Sequence, residues 1–159
     1  MNTLTDAAPT PRIRNAVLAD TPRIAEIYAH FVETSIATFE ETPPDAVEIA
    51  ARFHRVASLG LPWLIIEDAE GIQGYAYAAP FRDRSAYRFT VEDSIYIDAG
   101  RQRCGYGTQL LGELIERCEA LGKRQMIAVI GGSRSVGSIG LHSRLGFETA
   151  GVLPSAGFK

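Results

Sequence analysis

A chain of 159 residues, 46% hydrophobic and 22% charged, is long enough to bury one core and has the composition of an ordinary globular protein. Its net charge of -3 argues against a general binder of nucleic acid or anionic membrane, while leaving room for a local basic loop that holds a polyanion. The 2 cysteines, Cys104 and Cys118, form no C-x-x-C pair and have no histidine cluster beside them, so no disulfide framework or zinc site is implied and a reducing cytoplasm is the expected setting.

Met1 to Pro11 are small, polar and proline-containing, without the basic start or apolar core of a secretion signal, and read as a flexible tail before one domain over residues 12 to 159. The longest apolar run, Leu61 to Ile66, contains Pro62 and is only a strand's worth, so a soluble protein is expected. Arg12 to Val17 is a strand candidate. Asp20-Thr21-Pro22 opens a helix, with Ile24, Ile27, Tyr28 and Phe31 at helical spacing. Residues 32 to 44, with Ser35 to Phe39 and Pro43-Pro44, form an irregular connection and a candidate substrate loop. Asp45 caps a second helix whose inward members are Val47, Ile49, Ala50, Phe53 and Val56. Trp63 to Glu67 and Gly74 to Pro80 are strands joined by the hairpin turn Asp68-Ala69-Glu70-Gly71.

Next comes a strand over Arg88 to Ile97, then Gln102-Arg103-Cys104-Gly105-Tyr106-Gly107, then a helix. Leu110, Leu111, Leu114, Ile115, Cys118 and Leu121 make its buried stripe, and Gly122 ends it. A strand feeding a glycine turn into a helix offers unpaired N–H groups and the positive end of a dipole, with Arg101 and Arg103 nearby, which suits a phosphate. Glycine spacing alone is a weak signal and leaves an ordinary tight turn before a helix open. A Walker loop would need lysine and then Ser or Thr after its last glycine, where Gly107 is followed by Thr108-Gln109, and a dinucleotide fold would need a third glycine, so both lose ground. A strand at Gln125 to Ile130, a helix at Val136 to Leu145 and a strand at Phe147 to Val152 complete a mixed sheet, parallel where a helix crosses between strands.

Gln102-x-x-Gly105-x-Gly107 between strand and helix resembles the acyl-CoA pyrophosphate loop of the GNAT family of N-acetyltransferases. Ser138-Ile139-Gly140-Leu141-His142 with Leu145-Gly146-Phe147 resembles that family's later cofactor-side helix and following strand. Arg84 to Tyr96 is similar to the phosphinothricin and methionine-sulfone N-acetyltransferase branch, and Tyr28, Thr38 and Phe39 sit in a similar opening stretch. The resemblance covers residues 12 to 159 and implies an α/β (α+β) fold. Its sheet is mixed and mostly antiparallel, with one parallel splayed pair and helices on both faces. It implies acetyl-CoA as cosubstrate, no metal, a homodimer and a small-molecule amine acceptor.

Acetyl transfer to an amine requires deprotonation of the ammonium, stabilisation of the thioester oxygen, departure of the thiolate and alignment of both substrates. It requires no covalent nucleophile. Glu92 is the candidate base: a solvated surface residue by position alone, but the acid of a Thr90-Val91-Glu92 triplet to which the resemblance assigns catalysis. Asp93 should face the other way. His142, where family members often carry tyrosine, either packs as a satisfied core histidine or helps protonate the thiolate. The backbone N–H groups of Ile95, Tyr96 and Ile97 are the expected oxyanion donors. Gln102, Arg103, Cys104, Gly105, Tyr106, Gly107 and Thr108 form the cofactor loop that the resemblance implies, and where Ser135 replaces a common asparagine the pantetheine contact is either weaker or passes to Arg134 or Ser138. Phe39, Arg82, Arg84, Ser85, Ala86, Tyr87 and Thr90 line the acceptor site, the guanidinium groups being shaped for an acid. The reading is N-acetylation of the α-amine of a small amino-acid-like acid. The alternatives are a protein or peptide N-acetyltransferase and a nonenzymatic CoA- or nucleotide-binding regulatory module.

Overall fold

The computed structural model describes residues 10–132 and 135–159. Five strands pair in chain order: β1 (Arg12–Asn15), β2 (Trp63–Asp68), β3 (Gly71–Pro80), β4 (Thr90–Ile97) and β5 (Gln125–Ala128). The first four are antiparallel and β4–β5 is parallel. The helices are α1 (Thr21–Thr34), α2 (Ala46–Ser58), α3 (Tyr106–Ala120) and α4 (Val136–Arg144). Among the described residues no helix is long and apolar enough to cross a membrane.

The alternation of side chains along each strand decides which helices lie where. On one face Trp63 stacks on Tyr77 at 4.3 Å between ring centroids, Tyr75 lies 5.5 Å from Tyr96, and α1 and α2 add Tyr28, 5.0 Å from Tyr96, and Phe53, 5.8 Å from Trp63. The other face of β3 is small, with Gly74, Ala76 and Ala78, and α3 presses Leu110, Leu111 and Leu114 toward it, all fully buried. Gly74 is needed there, since a Cβ at that position would stand 2.9 Å from the Tyr96 carbonyl oxygen.

Local signals act largely as read. Asp45 Oδ1 accepts from the Glu48 N–H at 2.8 Å and starts α2. Asp20 stands before α1 but makes no side-chain cap; it is spent on Arg14, whose Nη1 lies 2.7 Å away. Val47 is 76% exposed rather than inward, because it lies two residues from Ile49 and so on the opposite side of the helix. β5 stops at Ala128, not Ile130. The strand expected at Phe147 to Val152 does not form: Phe147 donates its N–H to the His142 carbonyl, and 148–150 are exposed with no ladder partner. β5 therefore carries an unpaired outer edge among the described residues.

Candidate active site

The turn before α3 is built from its own residues. Asp98 Oδ1 accepts from the Gly100 N–H at 2.9 Å, and Arg23 holds the other oxygen at 2.7 Å, which fixes the 3-10 turn Ala99–Arg101. Arg103 and Gly105 then take left-handed conformations, at φ 62° and 82°, and Gly105 leads into the helix. Among the described residues, no N–H from Gln102 to Thr108 donates to a protein acceptor, and the first turn of α3 contains no acidic side chain. Gln102, Arg103, Cys104 and Thr108 are exposed. Unused donors at the positive end of a dipole fit a polyphosphate.

The two glycines do different things. Gly105 supplies the backbone angle, and a Cβ there would make only ordinary contact with Gln109 at 3.9 Å, whereas a Cβ on Gly107 would lie 3.2 Å from Leu141 of α4 and 3.8 Å from Ile97. Of the two arginines expected to supply charge, Arg101 is turned away, paired with Glu70 and 3.8 Å from Asp68, which leaves Arg103. Asp68 is a residue that sequence reasoning missed. It accepts from the Tyr106 hydroxyl at 2.8 Å and from Gln73 at 2.9 Å, tying the β2–β3 turn to the start of α3. Three isolated polar residues in chain order give no periodic signal for such a tie.

β4 and β5 pair only from Thr90↔Gln125 to Asp93↔Ala128. Ile95, Tyr96 and Ile97 keep β3 on one edge and, among the described residues, have no strand on the other, so the sheet forks where the oxyanion donors were expected. Glu92 lies just before the fork, half-buried, its carboxylate with no hydrogen-bond partner among the described residues. Burial raises its carboxyl pKa above the ordinary range, and the neighbouring Asp93 charge adds to this, against an opposing pull from Arg82.

Asp93 faces the other side of the sheet, as the alternation requires. Its Oδ2 is 3.0 Å from His142 Nε2, and His142 Nδ1 is 2.7 Å from the Ser138 carbonyl. Both ring nitrogens are therefore committed, and no free N–H is left for a departing thiolate in this arrangement. Burial works against charging the ring, but the Asp93 and Ser138 hydrogen bonds prevail and its pKa is raised. The Ser138 carbonyl is thus engaged by His142 of the same helix, Ser135 donates to the Gly131 carbonyl at 2.6 Å, and Arg134 lies outside the described residues.

On the acceptor side, Ser85–Tyr87 form a 3-10 turn between β3 and β4, and Arg82, Arg84, Ser85, Ala86 and Tyr87 are all exposed. Arg82 lies 5.0 Å over the Phe81 ring, against which Tyr87 stands edge-on, and it is the cation that acts on Glu92. Thr90 is half-buried on the first rung of β4. Phe39 is 52% exposed on the 35–44 connection. That connection is anchored by a network sequence reasoning did not find. The Tyr28 hydroxyl meets Thr38 at 2.6 Å and Glu40 at 2.9 Å, and Arg52 grips Glu40 through two nitrogens at 2.6 and 3.1 Å. Lys159 donates to the carbonyls of Val32, Ser35 and Thr38 within 3.0 Å.

Comparison with known proteins agrees with this arrangement. The family model described as Acetyltransferase (GNAT) family matches residues 24–147. The chain is 51% identical over 140 residues to a phosphinothricin N-acetyltransferase of Alcaligenes faecalis, covering 88% of this chain and 71% of that protein. It is 43% identical over 148 residues to an L-methionine sulfoximine/L-methionine sulfone acetyltransferase of Pseudomonas aeruginosa, covering 92% and 86%. A solved phosphinothricin acetyltransferase from Sinorhizobium meliloti in complex with AcCoA superposes with a TM-score of 0.91 at 50% identity, over 94% of this chain and 81% of that one.

Proposed function

The chain belongs to the acetyltransferase (GNAT) family, and we propose that it transfers acetyl from acetyl-CoA directly to the α-amine of a small amino-acid-like acid of the phosphinothricin, methionine sulfone or methionine sulfoximine type. The observation that carries this reading is Glu92, a half-buried carboxylate with no partner at the edge of the β4–β5 fork, on the same strand that leads to the unused donors of the 102–108 turn.

When bound, acetyl-CoA supplies the activated acyl group as a thioester. Gln102 to Thr108 offer their N–H groups, and Arg103 its charge, to the pyrophosphate. The Asp98 N–H donates to the Gln73 carbonyl on the β3 side, so by alternation the Tyr96 N–H also faces β3, and the open edge of β4 offers the N–H groups of Ile95 and Ile97 for the thioester oxygen. Glu92 takes the proton that the acceptor ammonium must lose, and the raised pKa suits a base that works near neutrality. Arg82 and Arg84, exposed beside the start of β4, suit an oxygen-rich acid at the far end of the acceptor. A polyamine would bring cations beside cations.

The test is kcat/KM for methionine sulfone, methionine, spermidine and a short peptide, by free-thiol release, in the wild type and in Arg84→Ala. Methionine sulfone should lead, because its sulfone oxygens accept hydrogen bonds that the thioether of methionine does not. A leading peptide would move the assignment to peptide acetylation, and absence of thiol release with every amine would favour a binding module. The reading includes a cytoplasmic homodimer. The unpaired β5 edge supports the dimer, since a free edge invites pairing.

A further inference from the structure

β4 carries two adjacent carboxylates on opposite faces. Glu92 is absorbed by the proposed chemistry, and Asp93 is not. Asp93 and His142 are buried, their side chains 2% and 5% exposed. The Ser138 carbonyl can only accept, so the His142 Nδ1 facing it at 2.7 Å carries a hydrogen. The Asp93 carboxylate at Nε2 also accepts, so the pair holds one proton more than a neutral imidazole and a carboxylate would.

The location gives this proton a purpose. Asp93 stands opposite Ala128, on the last paired rung before the sheet forks. His142 is on α4, and its neighbour Leu141 packs against Gly107 in the first turn of α3. A continuous line of contact runs from Asp93 through His142 and Leu141 to the turn that offers its donors to a polyphosphate. The other groups around the pair are Glu92 beside Asp93 on β4, the Cys118 thiol on α3, which feels the Asp93 charge, and the Phe147 ring, edge-on to His142 at 4.9 Å. Lys123, after α3, acts on Cys118.

We infer that Asp93 is a positioning residue for the acetyl-CoA site: through a proton shared with His142 it fixes α4 against β4 at the fork and against the first turn of α3. This rests on the acetyl-CoA reading above. Loss of the proton at high pH should loosen α4 and weaken acetyl-CoA before it affects the base on the opposite face. The raised His142 pKa places that loss above the ordinary histidine range.

The experiment is calorimetric titration of acetyl-CoA between pH 6 and 9, with kcat and KM, in the wild type and Asp93→Asn, alongside NMR titration of the His142 ring. Asparagine keeps an acceptor for Nε2 and removes the charge. The expected result is a rise in Kd and in KM for acetyl-CoA of roughly tenfold or more, which corresponds to about 1.4 kcal/mol of binding free energy. The value of kcat at saturating cofactor should stay within about threefold, and the His142 midpoint should move to lower pH. A fall in kcat with KM unchanged would overturn the inference by placing His142 at the reacting atoms. Unchanged Kd with a shifted midpoint would overturn it by showing a pair that braces only itself. If Asp93→Asn does not fold, the wild type carries the test: acetyl-CoA affinity must weaken across the His142 midpoint, and a flat Kd overturns the inference. A wild type that binds no acetyl-CoA at all would instead fail the cofactor reading, while a His142 midpoint below the ordinary range would still count against the shared proton.

Discussion

Replacing Glu92 by glutamine removes the proposed base and almost nothing else. The side chain is isosteric, and the Glu92 carboxylate makes no hydrogen bond among the described residues, so no buried partner is orphaned. Stability should therefore change by no more than about 0.5 kcal/mol, as for a substitution that touches none of the usual destabilising features. The rate should change far more. General-base catalysis contributes about 10²–10⁴-fold, and at about 1.36 kcal/mol per tenfold this is roughly 3–5 kcal/mol of barrier. The pH dependence follows from the raised carboxyl pKa, caused by burial first and Asp93 second. In the wild type, kcat/KM should fall on the acid side at a pH above the ordinary glutamate range, where the folded enzyme takes up the proton. In the variant that limb disappears and the loss shrinks as pH rises, because free amine becomes available without help. Linkage gives an independent check of sign. A carboxyl pKa raised by folding means the native state binds more protons, so stability falls as pH rises from the unfolded to the folded pKa. Glu92→Gln should be slightly more stable than wild type above that window and should lose the advantage below it. The assays are free-thiol release with methionine sulfone from pH 6 to 9 and thermal unfolding across a wider range. Wild-type rates across pH 6 to 9 would refute the assignment, and so would a rate loss accompanied by collapse of acetyl-CoA affinity.

Gly107→Val should raise the acetyl-CoA Kd sharply while the protein stays folded. Its side chain would push on Leu141 and Ile97, and such overpacking costs about 1–3 kcal/mol; calorimetry and thermal unfolding check it. Arg82→Ala removes the cation that favours the charged form of Glu92 and should move the acid limb of kcat/KM to higher pH, with an unmoved limb counting against contact between the two groups. Light scattering at micromolar concentration should give twice the chain mass, and a clean monomer would remove the dimer from the reading.

What was legible in the sequence was local. Asp45 announced α2 because its cap involves a residue three positions away, and the Asp68 to Gly71 turn announced a hairpin for the same reason. The Val47 and Phe147 errors share a cause. Both residues are apolar at places where a pattern continued on paper, but one falls on the wrong side of a helix and the other has no strand beside it. The site divides in the same way. Glu92, the fork and the 102–108 turn lie in one continuous stretch and could be read together. The Glu40–Arg52, Tyr106–Asp68 and Asp93–His142 contacts join residues 12, 38 and 49 positions apart, distances at which no periodicity operates.

The position of the site follows from how β4 is held. Up to Asp93 the strand is held on both edges, by β3 and β5, and on the face opposite Glu92 by α3 and α4. From Ser94 onward one edge is released while β3 and the aromatic face still hold the strand. Donors on such an edge are exposed to a ligand yet rigidly aimed, which is what a developing negative charge requires, since donors that had to reorganise would return part of their benefit. The small residues of β3 complete the arrangement. With Gly74, Ala76 and Ala78 beneath it, α3 lies close to the sheet, and its first turn comes down beside Ile97, where the free edge ends. Enlarging Ala76 or Ala78 should therefore lift α3, whereas a Cβ on Gly74 should displace the end of β4 itself, because the Tyr96 carbonyl oxygen and Ile97 stand in its way. The lesion would show first as weaker acetyl-CoA binding, with the base on the opposite face still able to take its proton.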